Sequence, residues 1–116
     1  MAFAYSRLTE ITQVADSAGA VLTNASGTTT YIRVIVIHNT NSTIENVVLY
    51  NVPDNAGAVG TAAAANQFYK EAVDPNETIL FEIEAPGIIL EDENDTIQAV
   101  TDTASKVTIQ MYGATE

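Results

Sequence analysis

The stretch Tyr31-Ile32-Arg33-Val34-Ile35-Val36-Ile37-His38-Asn39 constrains this chain more than any other. Branched and aromatic side chains pack well on a pleated surface, so the run reads as a strand. From Val34 to Ile37 it is apolar on both alternating faces. A half-buried strand would alternate apolar with polar. The run is therefore expected to be a central strand covered at least in part on both faces, or one that crosses between packed regions. It ends in the polar cluster Asn39-Thr40-Asn41-Ser42-Thr43, which favours a turn. A second strand, Ile44 to Val52, follows, and the pair predicts a β-hairpin.

The rest of the chain repeats this grammar of short strands and turns. Phe3 to Gln13 alternates partly and reads as a first strand or an extended arm. Ala20 to Thr23 is a short strand between the turn signals Asp16-Ser17-Ala18-Gly19 and Asn24-Ala25-Ser26-Gly27-Thr28. Pro53 to Gly57 ends the Ile44 to Val52 strand, because proline cannot donate to a ladder and glycine allows positive φ. Ala58 to Ala65 reads as a surface loop with one helical turn around Thr61 to Asn66. Strands are then expected at Gln67 to Val73, Thr78 to Glu84 and Ile88 to Leu90. Thr96 to Thr101 and Lys106 to Tyr112 are expected to form a closing hairpin. About eight short strands without a long helix indicate an all-β fold. The predicted architecture is a single antiparallel β-sandwich of jelly-roll type. Residues 1–18 are a first strand or N-terminal arm, and residues 19–116 are the sandwich domain. The expected core is Val34, Val36, Val48, Leu49, Ile79, Phe81, Ile83, Ile97, Ile109 and Met111.

A chain of 116 residues supports one domain. Area scaling gives it a folded surface of about 6,000 Å², so roughly two-thirds of the extended-chain surface is buried. Disulfides are excluded because there is no cysteine. Fifteen acidic residues against four basic ones give a formal charge of −11. That balance repels nucleic acid and anionic membranes. At 47% hydrophobic the chain is too apolar for a disordered acidic tail. The N-terminus lacks signal-peptide character and no apolar run is long enough to span a bilayer, so a cytoplasmic site of synthesis and assembly is expected.

Few residues point to chemistry. His38 is the only histidine and lies at a strand end, where a structural or surface role is the ordinary one. The acidic turn Glu91-Asp92-Glu93-Asn94-Asp95 is the densest oxygen cluster, and hard cations favour such turns. Its spacing does not fit an EF-hand, and a solvated rim that discourages edge pairing explains it as well. The acceptor patterns at Asn24, Asn41 and Asn76 mark polar loops. No phosphate loop, nucleophile elbow or zinc-binding helix motif is present, and there is no tryptophan to act as a sugar platform. The expectation is a non-enzyme with no catalytic, cofactor-binding or metal residues.

One resemblance is carried by the order of motifs. The apolar run ending in His38-Asn39-Thr40 is followed by Val47-Val48-Leu49-Tyr50-Asn51-Val52-Pro53. The alanine- and glycine-rich loop comes next, then Asn76-Glu77-Thr78-Ile79-Leu80-Phe81-Glu82-Ile83. The chain closes on Asp95-Thr96-Ile97-Gln98-Ala99-Val100 and Val107-Thr108-Ile109-Gln110-Met111-Tyr112-Gly113. From about Ala20 to Gly113 this resembles small β-sandwich structural proteins of tailed bacteriophages. The resemblance implies a virion protein, foremost a decoration or cement protein stabilising the head, with a tail or head-to-tail connector component as the alternative. A carbohydrate-binding β-sandwich module is the alternative from another class. Decoration proteins imply a homotrimer contacting the major capsid protein or other virion proteins, and neither nucleic acid nor membrane is an expected partner. The expected contact residues are Phe3, Tyr5, Leu8 and Ile11 of the N-terminal stretch, with Ala58 and Val59 of the loop, because apolar loops usually need cover.

Overall fold

In the computed structural model, which describes residues 6–116, the chain forms ten strands and one 3-10 turn at Ala64–Asn66. The strands are β1 (Ser6–Arg7), β2 (Thr12–Gln13), β3 (Gly19–Thr23), β4 (Thr30–Asn39) and β5 (Glu45–Val52). They continue with β6 (Gln67–Val73), β7 (Thr78–Glu82), β8 (Ile88–Leu90), β9 (Thr96–Thr101) and β10 (Val107–Thr115). One sheet runs β1-β10-β4-β7, with β2 also on β10 and β8 also on β4. The other runs β3-β9-β5-β6, and every pairing is antiparallel. The pairing is nested: β1 and β2 with β10, β3 with β9, β4 with β7 and β8, β5 with β6. A long hairpin of paired strands rolled into two facing sheets has this order, which is the jelly roll. The folded area of 6160 Å² agrees with the scaling for one domain of this size.

Two of the expected hairpins are not hairpins. β4 and β5 belong to different sheets, and so do β9 and β10. A strand-turn-strand signal is the same whether the chain doubles back in one sheet or arches to the other. At the first arch the deciding group is Asn39, which is fully buried. Its Nδ2 donates to Thr43 O and Val73 O, each at 2.9 Å, and its Oδ1 accepts from Asn41 N at 2.8 Å. These bonds hold the turn across the end of the sandwich. Consecutive strands pair directly only at β5 and β6 among the described residues.

The core differs from expectation in phase. Val34 and Val36 are half-buried on the outer face of their sheet, while Ile32, Ile35 and Ile37 are fully buried. The cause is a β-bulge. On β10, Tyr112 faces Val34 and Gly113 faces Ile32, which leaves Arg33 as the extra residue. A single extra residue reverses every side chain beyond it. Two glycines press on this point. A Cβ on Gly113 would collide with Tyr31 O, and one on Gly87, at φ +90°, would collide with Ile32 O. Neither position admits a side chain. The bulge also interrupts the other side of β4. β7 ends at its level and β8 begins beyond it, with Ile83 N donating to Arg33 O at 2.8 Å.

Val48 is likewise outward and half-buried, because it stands opposite in phase to the buried Val47 and Leu49. Ile79, Phe81 and Ile83 are only partly buried; they pack against the core from the sheet's edge. Leu49, Ile97, Ile109 and Met111 are fully buried as expected. An unexpected buried group is Glu45, on the inner face beside Val47 and Leu49. Its Oε1 accepts from Thr101 Oγ1 at 2.9 Å and Thr103 N at 2.8 Å, and its Oε2 from Asn41 Nδ2 at 2.9 Å. Burial pushes this carboxyl up, but those hydrogen bonds outweigh it and hold the group below the usual carboxylate range.

Candidate functional site

The sandwich has two lateral edges, and they differ. At one, the segment from β1 to β2 lies along β10, with Leu8 N donating to Met111 O and Val14 N to Val107 O, both at 2.8 Å. Thr9 Oγ1 crosses to the other sheet and donates to Val21 O at 3.2 Å. At the other edge, β6 and β7 end their sheets. The register sets Tyr69 against Leu49, Glu71 against Val47 and Val73 against Glu45, so these β6 residues share the inward row. Across the gap, Ile79 and Phe81 of β7 stand beside Ile37 and Ile35. The rings of Tyr69 and Phe81 stack with centroids 5.1 Å apart and planes at 11°.

Around that stack lies an open groove of about 560 Å³, lined by Phe68, Tyr69, Glu71, Ala72, Glu77, Ile79 and Phe81. Its floor is apolar and its charged rim groups, Glu71 and Glu77, are both acidic. The Tyr69 hydroxyl is buried and has no hydrogen-bond partner among the described residues. Burial first, and then the charges of Glu71 and Glu77, push its phenol above the usual value. Sequence reasoning misses this site. A usable signal is present, since Tyr69, Glu71 and Val73 alternate with a charge on the inward face, which is a device of edge strands.

The residues expected to make contacts fall in several places. Phe3 and Tyr5 lie outside the described residues. Leu8 packs against the core, whereas Ile11, in the loop between β1 and β2, is 57% exposed. That loop is braced by an exposed ion pair, Arg7 Nη2 to Glu10 Oε2 at 3.2 Å. Ala58 and Val59 are exposed, on a loop tied down from below. Gln98 points away from the core row of Ile97 and Ala99 yet is buried, and its Nε2 donates to Gly60 O at 2.9 Å. The alanine-rich loop thus covers its own sheet with one side and presents the other. Leu8, Ile11, Ala58 and Val59 are not among the residues that line the β6/β7 groove.

The acidic turn is a loop staple. Oxygens of Asp92 and Asp95 lie within 4.8 Å of Asp54 from the 53–57 loop. Both carboxylate oxygens of Asp95 are engaged by backbone: Oδ1 accepts from Asp54 N at 2.9 Å, and Oδ2 from Asp92 N at 3.0 Å and Glu91 N at 3.1 Å. Buried Asn24 ties the same end, donating from Nδ2 to Thr28 O at 2.7 Å and Asp92 O at 3.0 Å. These bonds account for the cluster as a structural corner. His38 is a cross-strand partner, its Nδ1 2.8 Å from Thr78 Oγ1.

On the outer face of the β4 sheet, Leu80 is 57% exposed beside its register partner Val36. Farther along, Arg33, Val34, Glu82, Ile83, Glu84, Tyr112 and Gly113 line a second groove of about 390 Å³ where the bulge opens the sheet. Arg33 Nε donates there to Ile83 O at 2.7 Å. No helix among the described residues is long and apolar enough to cross a membrane. No family model matches the chain, and neither a curated protein nor a solved structure matches it at a significant level.

Proposed function

We propose that this protein is a non-enzymatic structural module of a bacteriophage particle, foremost a decoration protein bound to the head. The observation that carries the reading is the nested jelly-roll order, an architecture used by viral capsid proteins. Exposed apolar groups support an assembly role: Leu80 beside Val36, Val59 on the covering loop, and Ile11 near the N-terminus. Isolated apolar residues are ordinary on a surface, but the exposed Leu80 beside half-buried Val36 on one sheet face suits contact with another protein. The charge of −11 suits a basic docking surface. On this reading the partner is the major capsid protein or another virion protein, and the module acts as a homotrimer.

The test is gold-labelled antibody on purified particles, read by electron microscopy, with the peptides of the same particles read by mass spectrometry. Many labels per head are expected. Label confined to the tail or neck replaces the head with a tail or connector role. Particles free of the protein overturn the virion reading. A carbohydrate-binding role has one observation in its favour, the Tyr112 ring beside Glu82 and Glu84 in the groove at the bulge. Glycan binding that is lost in Tyr112→Ala would favour that role.

A further inference from the structure

We propose that the open edge between β6 and β7 docks an extended, basic segment of a partner polypeptide. An apolar side chain of the segment lies in the groove, and its lysine or arginine groups meet Glu71 and Glu77. Two observations converge. First, β6 and β7 each end a sheet, so their outer backbone groups face outward, as in proteins that accept an added strand. Second, the groove floor is apolar while its charged rim is acidic. Glu71 faces inward at the edge, opposite Val47, which opposes entry of a neutral apolar strand and is satisfied by a cation.

Charge selects the occupant. A second copy of this chain would bring another −11 and another pair of rim carboxylates to the same edge. A basic segment brings the complement, which also speeds encounter. This inference deepens the assembly reading by naming the chemistry of the partner. That the partner is a virion protein rests on that reading; the binding chemistry of the edge does not.

The test uses the full chain, labelled with ¹⁵N, and a capped synthetic peptide of alternating lysine and leucine. The control peptide carries glutamate in place of lysine. Amide shifts confined to residues 67–73 and 78–82 are expected with the basic peptide and none with the acidic one. Glu71→Lys with Glu77→Lys should weaken binding about tenfold, and the milder Glu71→Gln with Glu77→Gln about threefold. Glu91→Lys with Glu93→Lys makes the same change of net charge at the far end and should weaken binding less than about twofold. Circular dichroism checks the fold of each variant. Equal weakening by the two lysine pairs, or shifts spread over the acidic turns, would reduce the effect to general attraction and overturn the proposal. Edge shifts produced by raising the concentration of the protein alone would overturn it in favour of a second copy. Particle location enters neither outcome, so failure here and failure of the virion reading are separately visible.

Discussion

At the edge formed by β1, β2 and β3, the chain covers its own flank. Leu8 packs on the core, and the Thr9 hydroxyl reaches Val21 O of the facing sheet. At the edge formed by β6 and β7, the rings of Tyr69 and Phe81 stack between the two sheets, with acidic groups at the rim of an open groove. The jelly roll explains the asymmetry. Its nested pairing sets the innermost hairpin strand β6 and the returning strand β7 at the edge away from the termini. The N-terminal stretch is spent on the other flank. A flank sealed by the chain's own segment serves stability, whereas an acidic flank with apolar floor suits a partner.

The most severe challenge to this contrast is removal of residues 2–13. On the sealed flank, Leu8 is partly buried and contributes about 1–2 kcal/mol, less than full burial would, and each lost hydrogen bond contributes about 0.5–1.5 kcal/mol. The truncated protein should lose on the order of 3–5 kcal/mol in denaturant unfolding, and a loss under about 1 kcal/mol would show that the flank needs no seal. On the open flank, Phe81→Ala removes a half-buried ring and its stack on Tyr69. Full burial of phenylalanine would cost about 3–5 kcal/mol on truncation, so partial burial sets the expectation at about 2–3 kcal/mol. A cost as large as the truncation's would make the two flanks equally structural.

The contrast is only half legible in the sequence. Alternation at Ile79, Phe81 and Ile83, and at Ile109 and Met111, identifies strands and their inward faces, because a period of two is a local property. Alternation puts Val34 and Val36 on the wrong face because a bulge is decided by a neighbour: Gly113 lies far along the chain and fits against Tyr31 O only in the folded sheet. The arches at Asn39–Thr43 and Asp102–Lys106 read as hairpins for a similar reason. Which sheet receives the next strand depends on Asn39 and Glu45, whose burial no turn signal reveals. The groove at Tyr69 and Phe81 combines two strands from different sheets, so neither strand alone announces it.

Glu45 sharpens the comparison at the corner where β5 meets Val73 of the open-edge strand. Its carboxyl is held below the usual carboxylate range in the fold. The stability it contributes is present above its unfolded pKa and is lost as pH falls through the lower folded value. Glu45→Gln should cost about 1–2 kcal/mol at neutral pH, because an amide NH₂ then faces the donors of Thr101, Thr103 or Asn41. Unfolding curves taken from neutral pH down through the acid range should show a smaller acid loss in the variant than in the native protein. An identical pH profile would remove Glu45 as a source of acid sensitivity.

Tyr69→Phe asks the finest question, because it leaves the stacked ring and removes only the hydroxyl. If that hydroxyl is buried without a partner, its removal relieves a desolvation cost. The free protein should then gain up to about 1 kcal/mol in unfolding free energy. The phenylalanine ring fills the same space against Phe81, so no cavity term opposes the gain. Binding of the alternating lysine and leucine peptide should be nearly unchanged, since the ring that lines the groove is kept and the buried hydroxyl presents no surface to an entering backbone. The combination is the informative part: the ring lines the groove and serves binding, while the hydroxyl buried behind it only costs stability. A loss of more than about 1 kcal/mol in the free protein would mean that the hydroxyl is already satisfied within the chain. In that case the β6/β7 flank is as closed as the flank sealed by Leu8 and Thr9, and the contrast between the two edges disappears.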